Sequence, residues 1–314
     1  MTVKIYVDTP AKQLCLVAAM LYLGMASGCT LLNKCPWWGT TTPRPPVVLA
    51  PNASLDDVIN AVNNNNAQKQ RFIANDARIN IEGVPVSLSS NIAWEYPRKY
   101  RVRGGTILSS NEFDIGSNDE LFWVWIKQDP RKAMYFGRHD QYAESQGTGM
   151  VRDSFPIDPN WLIESMGMTV FLPVPYEQHQ LVNRTPEGHW KIATTRPTPS
   201  GTYTKYTTVD GKTACVLMQE LVNPSGRLVA SAASLSHAID ATTAITYPET
   251  VDMHFSMQGQ ELTMRLSMGR VQFNQSSPFR ADTFIRPTYP DSTLVDICGQ
   301  SGNPVIQQVS GSIP

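Results

Sequence analysis

The chain has 314 residues, 41% of them hydrophobic, and a formal net charge of −1, which fits one large domain or two small ones. That charge excludes the basic footprint of a nucleic-acid binder, and no run of like charges forms a tail. The Val, Thr, Tyr and Trp content, with 20 Gly and 23 Pro, favours strands and turns.

In chain order, the first predicted element is an export signal. Lys4 and Lys12 precede the apolar run LCLVAAMLYLGMA (14–26), which has the length of a signal-peptide core and is short for a bilayer span. It ends in ASGC (26–29), which resembles the bacterial lipobox with Ala26 where Leu is usual. The resemblance implies cleavage before Cys29 and a diacylglyceryl group on its thiol. The alternative is an ordinary signal peptide ahead of an unmodified Cys29. A tether follows over 29–52, semi-extended because of Pro36, Pro43, Pro45, Pro46 and Pro51. Trp37 and Trp38 suit either a membrane interface or packing against the folded domain.

Ser54 and Asp57 form a weak capping box for a helix carrying Leu55, Val58, Ile59 and Val62 at helical spacing. Four consecutive Asn weaken that helix, which is expected to end near Phe72. From Arg78 the period becomes two. Strands are predicted at ARINIEG, VSLSSNIAW, KYRVRGG, NEFDIG, LFWVWIK and KAMYFGR, then, after a short helix at NWLIESMG (160–167), at QLVNR, HWKIATTR, TYTKYTTV, ACVLMQELV and RLVASAASLS. Arg101 and Arg103 share a strand face, read as solvated or as facing anionic headgroups.

The segment TVDMHFSMQGQELTMRLSM (250–268) reads as a hairpin with the loop Gln258–Gly259–Gln260–Glu261. Met257 then faces Leu262, Phe255 faces Met264, Met253 faces Leu266 and Val251 faces Met268. All eight fall on one face, which four methionines make adaptable. In LFWVWI (121–126), a turn at Ser117–Asn118–Asp119 pairs Ile115 with Leu121 and Phe113 with Trp123. Phe113, Ile115, Leu121, Trp123 and Trp125 then share one face, and Phe122, Val124 and Ile126 the other. A strand apolar on both sides lies between two apolar layers, or between a core and a ligand cavity. Which side is which stays open, and the Trp face is taken for the cavity.

No catalytic machinery is readable. There is no GxSxG elbow and no Gly-rich phosphate loop, and Asp56–Asp57 and Asp119–Glu120 read as a helix start and a turn. The five His are scattered without metal-ligand spacing. With Cys15 in the signal and Cys29 acylated, Cys35, Cys215 and Cys298 allow at most one disulfide, and no pair is favoured.

Three stretches resemble the bacterial LolA/LolB-like superfamily, which includes RseB-like and LppX-like proteins. They are LDDVINAV leading into ARINIEG, then YRVRGGTILSSNEFDIGSNDELFWVW, and YPETVDMHF with QELTMRLSMGRVQFN. The chain is longer than a minimal member, with room for extra strands between Val174 and Leu235. The resemblance implies a mainly β fold with a few helices. It would be a large curved antiparallel sheet, an incomplete, half-open β-barrel whose concave face is apolar and lidded by helices. Such proteins bind acyl chains or lipoproteins there and are not enzymes. The expected organisation is a signal at 1–28, the tether at 29–52, the half-barrel domain at 53–300 and a flexible tail at 301–314. The period-two pattern nominates Phe113, Ile115, Leu121, Trp123, Trp125, Val251, Met253, Phe255, Met257, Leu262, Met264, Leu266 and Met268 as ligand-lining. The expectation is an exported, lipid-anchored, monomeric protein of the periplasmic side that holds lipids or acylated lipoproteins, without cofactor or metal. Thr30 after Cys29 lacks the acidic retention signal, which favours the outer membrane. A sensor or scaffold binding another envelope protein through the same sheet is the alternative, and an enzyme is the third reading.

Overall fold

The computed structural model describes residues 44–145, 159–198, 201–257, 260–276, 279–298 and 305–308. The expected signal, Cys29, Cys35 and the Trp37–Trp38 pair lie outside them. Helix α1 spans Leu55–Ala67 and buries Val58 and Val62. Its capping box forms as predicted: Asp57 N donates to Ser54 Oγ (3.2 Å) and Ser54 N to Asp57 Oδ2 (2.8 Å). The helix stops short of Phe72. Asn274 Oδ1 accepts from Gln70 N and Arg71 N at 2.9 and 3.2 Å and turns the chain into the first strand there.

The Asn run that weakens α1 serves its docking. Asn63 exchanges two hydrogen bonds of 2.9 Å with the backbone of Phe171, donating to its carbonyl and accepting from its N–H. Asn65 does the same with Thr246, at 3.1 and 3.2 Å, and Asn66 donates to the Thr169 carbonyl. A side-chain amide carries one donor and one acceptor group, as a peptide does, so these Asn act as lateral partners for exposed backbone.

The strands are β1 (Arg71–Ile81), β2 (Leu88–Glu95), β3 (Lys99–Gly105), β4 (Phe113–Ser117), β5 (Leu121–Ile126), β6 (Ala133–Arg138), β7 (Gln178–Arg184), β8 (Trp190–Thr198), β9 (Gly201–Val209), β10 (Val216–Val222), β11 (Leu228–Ile239), β12 (Thr246–Met257), β13 (Gln260–Ser267), β14 (Val271–Phe273), β15 (Thr293–Asp296) and β16 (Val305–Gln308). They form one sheet in the order β16-β15-β6-β5-β4-β3-β2-β1-β13-β12-β11-β10-β9-β8-β7, with β14 beside the first half of β1. Every pairing is antiparallel except β6 with β15. The sheet is open, with edges at β16 and β7. The last strand falls inside the stretch expected to be a tail. Two short helices, α2 (His139–Ser145) and α3 (Pro159–Ile163), complete the fold. The predicted 160–167 helix is α3 continued as a π-helical turn over Glu164–Met168. α2, β15 and β16 were not anticipated, because their segments carry no clear period.

The sheet curls around α3. Tyr100 of β3 donates to the Pro159 carbonyl at 3.0 Å, and Lys205 of β9 reaches Glu164 at 2.6 Å. In a flat sheet, seven strand spacings would put β3 and β9 roughly 33 Å apart. Pro159 and Glu164 are about 7.5 Å apart along a helix. Side chains standing off the sheet converge on so short a segment only if the sheet is concave towards it. The fold is therefore mainly β, a large open antiparallel sheet lidded on its concave face.

Candidate functional site

The pairings place one apolar surface across most of the concave face. Ala232 of β11 faces Met253 of β12, and Met253 faces Met264 of β13. The row continues from Met264 to Ile81 and from Leu266 to Ile79 of β1, from Ile79 to Leu88 of β2, and along the same face of β2 to Ile92, which leads through Val102 of β3 to Ile115 of β4. The lid closes on it with Trp161, Ile163, Met166 and Met168, all buried. Trp161 packs edge-on to Phe255 with centroids 5.5 Å apart, and Ser165 Oγ lies 3.7 Å from Met253 Sδ. α1 covers the next part of the same face, against Trp190, Ile192 and Val209.

The lid has irregular geometry. Gly167 sits at φ 92°, and a Cβ there would collide with the Pro248 ring, so only glycine fits. Lys69, 1% exposed, donates at 2.8 Å both to Asn66 Oδ1 and to the Gly167 carbonyl, tying the end of α1 to the lid. Burial pushes the Lys69 ammonium down to about 7. Single π turns are frequent at functional sites.

At its β8–β10 end the concave face turns polar. Lys205, nearly buried, pairs with Glu164 of the lid at 2.6 Å, and Thr194 and Thr207 beside it are buried. A pocket of about 60 Å³ opens there, bounded by Trp161, Glu164, Arg196, Tyr203, Lys205 and Leu221. Burial raises the pKa of the Tyr203 hydroxyl. The Nε1 of Trp161, Oγ1 of Thr207 and Oε1 of Gln219 are buried without a hydrogen-bond partner.

Solved structures similar to this one include a LolA superfamily protein from Nitrosomonas europaea, at 11% identity and TM-score 0.47 over 74% of this chain and 98% of that one. An outer membrane lipoprotein-sorting protein domain from Vibrio parahaemolyticus matches at 9% and 0.47, over 72% and 95%. A DUF1329 family protein from Desulfovibrio piger matches at 11% and 0.46, over 73% and 96%. The fold is similar to that of LolA-superfamily proteins. These likenesses concern the fold and extend to nothing about ligand or partner. No protein-family model matches the sequence, and no curated protein does.

The sheet sorts the nominated residues into two groups. Val251, Met253, Phe255, Leu262, Met264, Leu266 and Met268 lie on the lidded face, together with Phe113 and Ile115. Their pairing differs from expectation by two residues. Val251 faces Leu266, Met253 faces Met264, Phe255 faces Leu262 and Met257 faces Gln260. The β12–β13 connection is therefore two residues shorter than predicted. Because the shift is even, no side chain changes face. Gln258, Gly259 and the Met257 side chain lie outside what the structure describes.

Leu121, Trp123 and Trp125 lie on the opposite, convex face, which corrects their assignment to the cavity. Asn118 Oδ1 accepts from both Glu120 N and Leu121 N at 3.0 Å, an Asx turn that lengthens the connection. Ser117 then pairs with Phe122 and Ile115 with Val124, an odd shift that reverses the faces. The convex side is also covered. After β14 the chain crosses it as a strap, stacking Tyr289 on Trp125 at 3.7 Å and leading into β15 beside β6. Asp114, fully buried under the strap, accepts from Arg101 Nη2 (2.7 Å), Tyr289 Oη (2.8 Å) and Trp123 Nε1 (3.0 Å). Arg101 is therefore a buried partner of Asp114 and not part of a solvated face. Burial works against the Arg101 charge, and Asp114 more than offsets it, raising the guanidinium pKa. On the inner side Phe122 is packed by Tyr142 of α2.

Cys215 and Cys298 are buried and free, so they do not form the disulfide that the sequence left open. Among the described residues no helix is long and apolar enough to cross a membrane, and no cluster of three metal-ligating side chains occurs. The lid residues Trp161, Ile163, Met166 and Met168 were missed as lining. The apolar spacing within NWLIESMGM was the available signal.

Proposed function

We propose that this protein holds acyl chains, of lipids or of acylated lipoproteins, against the concave face of its sheet, and that it does so as an exported protein anchored through Cys29 at the envelope. The observation that carries this reading is the continuous apolar row from β11 to β4, covered by a lid of only ten residues with an irregular backbone. The exchange of lid for ligand is energetically balanced. Four buried apolar lid side chains contribute about 1.5–3 kcal/mol each, or about 6–12 together, and a chain of about sixteen carbons at about 0.8 kcal/mol per methylene contributes about 12. A tail can therefore take the lid's place without a large net cost. Met253, Met264 and Met268 let the surface adapt to tails of different shape.

Native mass spectrometry of the protein purified from a cell envelope tests this directly. A co-purifying lipid, or saturable uptake of a fluorescent fatty acid, is the expected result. A protein that stays empty and refuses fatty acid overturns the reading. Cys29→Ser is expected to move the protein from the membrane to the soluble fraction. A protein–protein role has one observation in its favour: β7 is an open edge with Leu181 and Val182 exposed, a form that accepts an added strand.

A further inference from the structure

The two ends of the sheet differ in what they show to solvent. From β1 to β6 every pairing is antiparallel, so alternate turns share an end. The turns 82–87, 106–112 and 127–132 are therefore neighbours on one rim. Ile107 and Leu108 in the middle turn are 102% and 97% exposed, so they touch almost nothing of their own protein. Val84 and Val86 of the first turn, and Ile126 where β5 ends, are also exposed. At the opposite end the turns 96–98, 118–120, 185–189, 210–215 and 240–245 carry a single exposed large apolar side chain, Tyr96. Val47 and Val48, where the chain enters beside Lys212, add to that end.

The exposure of the middle turn is built in. Thr106 N donates to the Ser109 carbonyl at 2.8 Å, and the Thr106 hydroxyl accepts from Leu108 N and Ser109 N at 3.3 and 3.2 Å. Lys127 braces it from the next turn, donating to Ser109 Oγ at 2.8 Å and pairing with Glu112 at 3.2 Å. Apolar residues scattered singly on a surface are ordinary. An adjacent, fully exposed aliphatic pair on a braced tip is a different feature. The rim also limits what can cover it. Neighbouring hairpin tips lie two strand spacings, roughly 10 Å, apart. They form a row of separate points and not the continuous patch that a folded partner needs, whereas a fluid lipid layer closes around separate points. Over the three turns Lys127, Arg131 and Lys132 are offset by Glu82, Glu112 and Asp129, so no charged partner is selected. Ile, Leu and Val are side chains that enter hydrocarbon readily.

We propose that this rim docks on a lipid bilayer, with Ile107 and Leu108 entering its apolar layer and Val84, Val86 and Ile126 meeting the interface. The proposal stands apart from the acyl-binding reading, since a protein that held no lipid would dock in the same way.

Hydrogen exchange of the full chain, free and on phosphatidylcholine vesicles, tests it. On vesicles, exchange is expected to slow about tenfold in 82–87 and 106–112 and to stay unchanged in 210–215 and 240–245. Ile107→Ser/Leu108→Ser is expected to lose the slowing in 106–112, while unchanged exchange in the strands reports that the variant is folded. Because the rim is neutral, vesicles containing phosphatidylglycerol are expected to give the same pattern. No slowing at the rim, equal slowing at both ends, or slowing that survives in the double variant overturns the proposal. Slowing on the anionic vesicles alone overturns apolar insertion. A dimer seen by sedimentation without lipid, and dissolved by the double variant, overturns the assignment to a bilayer in favour of a second copy of this chain.

Discussion

Asp114→Asn tests whether Trp123 is structural, on the face away from the proposed acyl site. The carboxylate is fully buried and takes donors from Arg101, Trp123 and Tyr289 at 2.7–3.2 Å. The amide keeps the shape but removes the counter-charge of Arg101, whose side chain is 11% exposed, and turns an NH2 group towards donors. Breaking a buried pair from one side costs about 3–5 kcal/mol. With a urea m-value of about 3 kcal/mol/M, the unfolding midpoint falls by about 1–1.7 M. Adding Arg101→Met removes the stranded charge, so the double variant is expected to recover part of the loss. Equilibrium urea unfolding followed by tryptophan fluorescence measures both. Fatty-acid affinity of folded Asp114→Asn is expected to match that of the parent protein, because strap and cavity lie on opposite faces. A midpoint shift below about 0.3 M, or a double variant no more stable than the single one, refutes the buried-charge argument. Weakened ligand binding refutes the convex placement of Trp123.

Met253→Gln with Met264→Gln is expected to lower fatty-acid uptake at least tenfold while far-ultraviolet circular dichroism is retained; unchanged uptake in a folded variant removes this face from the site. Gly167→Ala is expected to lower stability by about 1–3 kcal/mol, because a left-handed backbone conformation must carry a Cβ against Pro248, and thermal unfolding checks it. Lys69, held at about 7 in the folded state against an ordinary lysine near 10.4 unfolded, makes stability rise with pH from about 7 to 10, since only the unfolded chain retains the proton there. Lys69→Met is expected to flatten that slope in urea midpoints taken across the range. Above pH 10 the sign reverses: burial and then Asp114 raise the Tyr289 pKa, so the unfolded chain ionises first and stability falls, an effect that Tyr289→Phe removes.

Alternation within strands was legible because it is local. Each strand from ARINIEG to the β12–β13 hairpin appears close to its predicted place, and the inward row on β12 and β13 survived a register error because that error was even. The β4–β5 hairpin shows where such reading fails. Its register depends on one side chain, Asn118, capping a turn, and an odd shift reverses every side chain. The lid could be seen as a helix but not as a lining, since nothing local says which distant strands it covers. The Asn run of α1 reads as a weakness in isolation and becomes a docking edge only when Phe171 and Thr246 are brought beside it.

The two sides of LFWVWI show how one sheet can be rigid at one end and adaptable at the other. Around β5 and β6 both faces are covered, by α2 inside and by the strap outside, and a fully buried carboxylate with three side-chain partners fixes the outer layer. Opening that end would expose aromatic surface on two sides and strand a charge. Around β9–β13 the inner layer is a ten-residue segment with a π turn, methionines face it, and polar atoms beneath it lack partners. Elements that move are drawn from the weakly held parts of a structure. Under the acyl-binding proposal, entry of a chain would be confined to the lid at the β9–β13 end, with the Trp-rich strand as the fixed wall against which that end would open.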